Sequence, residues 1–332
     1  MKTTPPALLL DKTTVGSLLT LDDCIAAVEG AFAASARGVA LSTALLHVDG
    51  LEGEFHVKAG GLLSPEALFA CKVNGGFFRN RERHDLPNIQ GLILLYDAAK
   101  GIPLAVMESS TITILRTGAA TAVAARRLAR AGSEVATICG VGTQGAVQLR
   151  ALARVLPLTH VHAWSRSAPR AEEFSRRMSA ELGLRVEPTR DLPAATRRSD
   201  VIVTCTPAHQ WFIGREHVQP GTFISAIGAD SPDKQEIEPA LLAQAAVVCD
   251  VTAQCRNVGD LHHALEEGLM GVESVRGELG AVITGASPGR LTDDEIIVFD
   301  STGTALQDAA AAAVVYRNAL EAGAGTRFGF WS

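Results

Sequence analysis

The chain is short of aromatic residues, of long apolar runs and of charge of one sign. Phe, Trp and Tyr together make up 5% of its 332 residues. It has neither a basic tract nor an aromatic-plus-basic stripe, which argues against a nucleic-acid surface. No apolar stretch reaches the ~18 residues a membrane span needs. Leu8-Leu9-Leu10 is too short for a signal-peptide core and is followed at once by Asp11, so a cytoplasmic protein is expected. Cys24, Cys71, Cys139, Cys205, Cys249 and Cys255 form no C-x-x-C pair. They read as buried reduced thiols, with neither a disulfide framework nor a zinc site. No internal repeat or long low-complexity segment is present. What remains is an ordinary globular composition, 47% apolar and 20% charged with a net charge of -6, in a chain long enough for two domains.

The most informative stretch runs from Glu134 to Gly145, E-V-A-T-I-C-G-V-G-T-Q-G. Residues 135–139 form a short apolar run suited to a buried parallel strand. Gly140, Gly142 and Gly145 follow at G-x-G-x-x-G spacing. The first permits a tight turn, the second lets backbone approach a pyrophosphate, and the third lets the next helix pack against the strand. A helix from about residue 145 to 155 would aim its free N–H groups at the phosphates. The strand before and the helix after supply the context that the fingerprint requires. Thr143 and Gln144, within the loop, belong to the same site.

Around this loop the pattern changes character. Residues 21–36 read as an amphipathic helix, and 44–48, 53–59, 68–73, 91–96 and 103–108 as strands joined by short turns. Such runs imply an antiparallel or mixed sheet. Residues 116–130 read as an Ala-rich helix leading to the glycine loop. Strands then alternate with helices: 135–139, 161–164, 200–205, 222–227, 246–251 and 295–299, with a helix over 171–182. This is the rhythm of a doubly wound parallel sheet of the Rossmann type, whose site lies at the carboxyl ends of the strands. A long Ala-rich helix, 305–321, has little of that sheet left to cover and is expected to return to the first domain. The fold class is therefore α/β, a Rossmann-type domain plus a second α+β domain.

An acidic residue about 20 positions past the glycine loop would bind the adenosine ribose of NAD. The sequence there is Trp164-Ser165-Arg166-Ser167, with no carboxylate and with Arg170 nearby. Ser165, Arg166, Ser167 and Arg170 could hold a 2′-phosphate, so NADP(H) is favoured over NAD(H).

Several stretches together resemble the ornithine cyclodeaminase/μ-crystallin family. They are Leu86-Pro87-Asn88, the run from Lys100 to Met107, Ile112-Thr113-Ile114-Leu115-Arg116-Thr117-Gly118-Ala119-Ala120, and the glycine loop with Gln144. Ile227-Gly228-Ala229-Asp230 with Lys234-Gln235-Glu236, Gly277-Glu278-Leu279-Gly280, and Phe299-Asp300-Ser301-Thr302-Gly303 with Gln307-Asp308 complete the set, which spans residues 22 to 316. The resemblance implies a homodimer of NAD(P)-dependent chains handling an α-amino or α-imino carboxylate. It also implies a substrate and dimerisation domain built from residues 1–116 and 304–332, with the nucleotide domain at 117–303.

The same resemblance points to residues. Arg116 would grip the substrate carboxylate through paired hydrogen bonds. Lys72, just before an Asn74-Gly75-Gly76 turn, would bind the carboxylate or donate a proton. Asp230, at the end of a strand, would relay a proton or hold an ammonium. Thr117 and Gly118 would approach the phosphates, Thr206 and Ile227 the nicotinamide side, and Ser301 or Gly303 the ring. The family's usual arginine is missing where Ser42-Thr43-Ala44 stands. Lys58, alternating with His56 on one strand, is expected to replace that cation, with Thr43 at the vacated position. Asn88 stands where cyclodeaminases tend to have Thr. His209, His262 and His263 have no ligand-like spacing and read as surface or dimer contacts, with no metal expected.

The expected activity is NAD(P)H-dependent reduction of a small imino acid, such as Δ1-pyrroline-2-carboxylate, or of a 2-oxo acid with ammonia. The alternatives are a cyclodeaminase converting ornithine to proline, and a non-catalytic cofactor and ligand binder.

Overall fold

The computed structural model describes residues 5–330. Positions 1–4 and 331–332, which the sequence reading assigns to the first domain, lie outside the described residues. The chain divides into two compact units. One runs to Arg116 and resumes at Thr304, and the other is Thr117–Gly303.

The first unit is built on a seven-stranded sheet. Its strands are β1 (Ala7–Leu10), β2 (Ala40–Asp49), β3 (Glu54–Leu62), β4 (Leu68–Gly76), β5 (Ile89–Asp97), β6 (Ile102–Glu108) and a C-terminal strand, Thr326–Phe328. The order is Thr326–Phe328, β1, β6, β5, β4, β3, β2. Only the β1–β6 pairing is parallel; β2 to β6 form an antiparallel meander. The Asn74-Gly75-Gly76 segment, expected as a turn, continues β4. β1 also belongs to the sheet, although its four residues are too few for a pattern to show. Helix Leu21–Ala36 begins at Thr20, whose hydroxyl accepts from the Asp23 amide at 3.1 Å and donates to the Asp23 carboxylate at 2.5 Å, a reciprocal cap. Helix Ala305–Ala322 lies on β3, β4 and helix Leu21–Ala36. Ala31, Ala34, Leu62, Leu306 and Ala310 pack at that junction. Alanines there let two helices and a strand come close, which is why the helix reads as small residues rather than large ones.

The second unit is an eight-stranded parallel sheet. Its strands include β7 (Val135–Cys139), β8 (His160–Trp164), β9 (Arg185–Thr189), β10 (Val201–Thr204), and then Phe223–Ala226, Ala246–Cys249, Gly277–Glu278 and Ile297–Asp300. β7 lies between β8 and β10, so the strand order reverses beside the glycine loop, as at a doubly wound switch point. Because every pairing is parallel, the loops after β7, β8, β10, Phe223–Ala226 and Ile297–Asp300 leave from the same edge. The central strands β10, Phe223–Ala226 and Ile297–Asp300 are buried on both faces, as the continuous apolar runs imply. Among the described residues no helix is long and apolar enough to cross a membrane. All six cysteines are free; Cys71 and Cys205 are half-buried and the others buried.

Candidate active site

The first unit gathers a buried ionic cluster on one face of its sheet. Lys58 on β3 and Lys72 on β4 are direct cross-strand partners, so their side chains share a face. That face lies under helix Ala305–Ala322. Lys58, Lys72 and Arg116 are 5%, 2% and 6% exposed, and Gln307 and Asp308 are fully buried. Lys72 Nζ hydrogen-bonds Asp308 Oδ1 at 2.9 Å and lies 2.7 Å from Oδ2. Arg116 Nε donates to Asp308 Oδ1 at 3.1 Å, and Arg116 Nη1 donates to Gln307 Oε1 at 2.9 Å.

Arg116 is not at a helix start. Its helix, Ser110–Leu128, begins where Glu108 caps it, accepting from the Ser110 amide at 2.7 Å and the Thr111 amide at 3.3 Å. Those extra turns carry Arg116 into the protein, where Asp308 and Gln307 orient one edge of its guanidinium. The Nη2 end has no partner among the described residues, and with the second Nη1 hydrogen it can take a carboxylate end-on.

Electrostatics divide the roles. Burial pulls the Lys72 ammonium down to about 7, against the attraction of Asp308 and helped by repulsion from Arg116 and Lys58. Burial opposes ionisation of Asp308, but Lys72, Arg116 and Lys58 outweigh it and hold the carboxyl below its ordinary value. A lysine poised near neutrality can either give up or take a proton, whereas Asp308 remains an anion that fixes two cations.

Other expected residues of this unit fall elsewhere. His56 shares the Lys58 face by register, but its Nε2 lies 3.1 Å from His47 Nδ1 and 3.3 Å from Glu54 Oε1, in a separate cluster. Asn88 Oδ1 accepts from the Arg81 amide at 3.0 Å and so organises its own loop. Thr43 sits at a register irregularity of β2, its methyl 3.1 Å from where a Cβ on Gly60 would stand.

In the second unit the glycine loop has the geometry a pyrophosphate needs. Gly140 has φ +114°, a value few other residues tolerate. A Cβ on Gly145 would lie 1.9 Å from the Gly140 carbonyl oxygen, whereas one on Gly142 would meet nothing within 4 Å. The helix is Thr143–Ala153, two residues longer at its start than expected, with Gly142 as its cap and no side-chain capping bond. Its first-turn N–H groups are therefore available to an anion. Gln144 is held by Gln148 at 3.4 Å. Gly118 packs on Val147 of this helix, with a Cβ placed 2.9 Å from Val147 Cγ2, so its lack of a side chain already has a packing reason. Thr117 precedes it and is buried. After β8, the Ser167 amide donates to Ser165 Oγ at 3.2 Å, while Arg166 and Arg170 are exposed.

Two buried carboxylates organise the remaining loops. Glu236 accepts from the Thr206 amide at 2.6 Å, the Thr206 hydroxyl at 2.7 Å and the Gly228 amide at 2.8 Å, tying the loop after β10 to the one after Phe223–Ala226. Burial, with Asp260 adding repulsion, pushes Glu236 up to about 8. Asp250 accepts from Ser301 Oγ at 3.1 Å, Thr302 Oγ1 at 3.2 Å and the Gly303 amide at 2.7 Å, setting the turn at Gly303, whose φ is +74°. Ile227 is buried beside this loop. Asp230 is ion-paired with Lys234 at 2.6 Å. His263 contacts the Lys234 carbonyl at 2.8 Å and His209 lies 3.1 Å from Asp233. Asp308, Gln307, Glu236 and Asp250 received no role from the sequence. The available signal was that Gln307-Asp308 and Glu236 stand among the stretches that carry the family resemblance; Asp250 had none.

The family model described as Ornithine cyclodeaminase/mu-crystallin family matches residues 7–323. Three solved structures are similar over nearly the whole chain. An archaeal alanine dehydrogenase dimer with bound NAD has 36% identity and a TM-score of 0.93, covering 98% of this chain and 99% of that one. The Thermococcus litoralis Δ1-pyrroline-2-carboxylate reductase with NADH and L-proline has 30% identity and a TM-score of 0.90, covering 96% and 99%. The iminosuccinate reductase of Paracoccus denitrificans with NAD+ has 34% identity and a TM-score of 0.90, covering 97% and 99%. The chain belongs to the ornithine cyclodeaminase/mu-crystallin family.

Proposed function

We propose that the protein is an NAD(P)H-dependent oxidoreductase acting on a small α-imino or α-amino carboxylate. The observation that carries this reading is the buried Lys58–Lys72–Arg116 cluster braced by Asp308. Two lysines on one sheet face and an arginine from helix Ser110–Leu128 are suited to a carboxylate, and one of them is tuned close to neutrality. Reducing a C=N bond requires hydride at carbon and a proton at nitrogen. The dinucleotide, when bound, supplies or accepts the hydride. Gly140, Gly142, Thr143, Gln144 and Gly145 would hold its pyrophosphate, since the Gly142 approach is open and the helix start is uncapped. Arg116 Nη2, with Lys58, holds the substrate carboxylate. Lys72 Nζ gives the proton in reduction and takes it back in oxidation. Asp230, paired with Lys234, serves as a second proton relay or as a seat for an ammonium.

The test is a panel of cyclic imino acids, acyclic imino acids and 2-oxo acids with ammonia, each with NADPH and NADH. Loss of the reduced-nicotinamide absorbance is expected. Ammonia release from ornithine without net cofactor change would select a cyclodeaminase instead. Neither signal would leave a cofactor and ligand binder.

A preference for NADP(H) is supported by the missing carboxylate after β8 and by Arg166 and Arg170, although the similar structures hold NAD or NADH. A homodimer is supported by the other face of the first unit's sheet. Leu46, Val48, Phe55, Val73 and Leu92 are 38–56% exposed there and adjoin through cross-strand register. A contiguous exposed apolar patch of this kind marks an interaction surface, and a two-fold pairing of it would bury it. Light scattering should give twice the chain mass, with Leu92→Lys reducing it. Unpaired cysteines support a reducing, cytoplasmic location.

A further inference from the structure

The β2–β3 hairpin carries a second cluster that the reaction does not use. His47 and Asp49 on β2 face His56 and Glu54 on β3 as direct cross-strand pairs, His47 opposite His56 and Asp49 opposite Glu54. Alternation puts all four on the face away from Leu46, Val48 and Phe55. The ligand atoms of His47, Glu54 and His56 lie within 4.8 Å of one another. His47 Nδ1 is 3.1 Å from His56 Nε2, and His56 Nε2 is 3.3 Å from Glu54 Oε1. Atoms bound at ~2.0–2.1 Å to a tetrahedral zinc ion stand roughly 3.3–3.4 Å apart. Two of the three donor–donor edges are thus already near the edge lengths of such a site, and the third is within reach of it. The other nitrogen of His47, Nε2, lies 3.1 Å from Asp49 Oδ1 and 3.7 Å from Glu54 Oε2. A carboxylate on the far ring nitrogen is what fixes the tautomer of a metal-ligating histidine.

We propose that His47 Nδ1, His56 Nε2 and Glu54 Oε1 bind a divalent transition ion of the zinc class, with Asp49 orienting His47. Two imidazoles and a carboxylate suit zinc rather than magnesium or calcium. The fourth position is open to water. β2 is an edge strand of its sheet, and the ion links it to β3, the strand that presents Lys58. This site is independent of the proposed reaction.

The test uses tag-free, chelator-treated full-length protein and zinc in competition with a chromophoric chelator. One ion per chain is expected. His47→Gln and Glu54→Gln should each weaken binding about 100-fold, and Asp49→Asn about 10-fold. Cobalt should give a tetrahedral ligand-field spectrum without a thiolate charge-transfer band. No stoichiometric binding by the wild-type protein overturns the proposal. So does unchanged affinity in folded His47→Gln and Glu54→Gln proteins, or a thiolate band pointing to the cysteines.

Discussion

Replacing Asp308 with asparagine removes the anion that braces Lys72 and Arg116 while nearly preserving shape. At 2.9 Å and an effective dielectric of about 20, the Lys72–Asp308 attraction is roughly 6 kcal/mol. The asparagine oxygen still accepts a hydrogen bond and recovers about 1 kcal/mol. The net loss lowers the Lys72 ammonium, now near 7, by roughly 3 pH units. Its protonated fraction at pH 7 then falls from about half to below one in a hundred. A stronger acid transfers its proton more readily, which offsets part of the loss. The expectation is a drop of about 100-fold in kcat/KM for imine reduction at pH 7. The alkaline limb of the pH profile should also move to lower pH. In the wild-type enzyme this limb is expected near 7 and should fall as pH rises, since the proposed reduction needs Lys72 protonated. The assay is the pH dependence of kcat/KM, which reports the free enzyme, with circular dichroism to establish that the variant is folded. Breaking a buried pair costs about 3–5 kcal/mol of stability, so a lower melting temperature is also expected. A folded Asp308→Asn enzyme with an unmoved limb and unchanged kcat/KM would refute this role for Lys72.

Other outcomes follow from the same geometry. Lys58→Met should raise KM for the carboxylate substrate by roughly 10- to 100-fold, the loss of one charge-assisted bond, with little change in kcat; steady-state kinetics would expose an unaffected KM. Ser165→Asp should shift preference from NADPH towards NADH at least tenfold, read from the ratio of kcat/KM values, and an unchanged ratio would remove the NADP(H) reading. Glu236 has a folded-state value near 8, above its unfolded ~4.5. Its contribution to stability is therefore complete below about 4.5 and is lost as pH rises through about 8. Chemical denaturation of Glu236→Gln should show that dependence flattened by a few kcal/mol, and an identical pH dependence in the two proteins would contradict it.

The nucleotide fold was legible because its signals are local. The apolar strand, the glycine spacing and the βα rhythm each occupy a few consecutive residues. The bounds of β7 and of helix Leu21–Ala36 coincide with their sequence patterns. What escaped depended on distant residues. β1 has four residues and gains its place only by pairing with β6. The start of the Arg116 helix was hidden because Ile112, Thr113 and Ile114 read as strand formers, whereas Glu108 caps a helix there. Asp308 entered the sequence reading only as part of the Gln307-Asp308 match, because its role depends on Lys72 and Arg116, 236 and 192 residues away. His56 was placed beside Lys58 by alternation, yet the hairpin register sets it opposite His47. Alternation fixes the face of a sheet, and only register fixes the neighbour.

The most direct measurement is a crystal structure of the protein with oxidised dinucleotide and an L-amino acid that the panel has identified as a product. The account predicts the amino-acid carboxylate within hydrogen-bonding distance of Arg116 Nη2 and a lysine Nζ, with Asp308 still joined to Lys72. A carboxylate bound away from Arg116, Lys58 and Lys72 would contradict it.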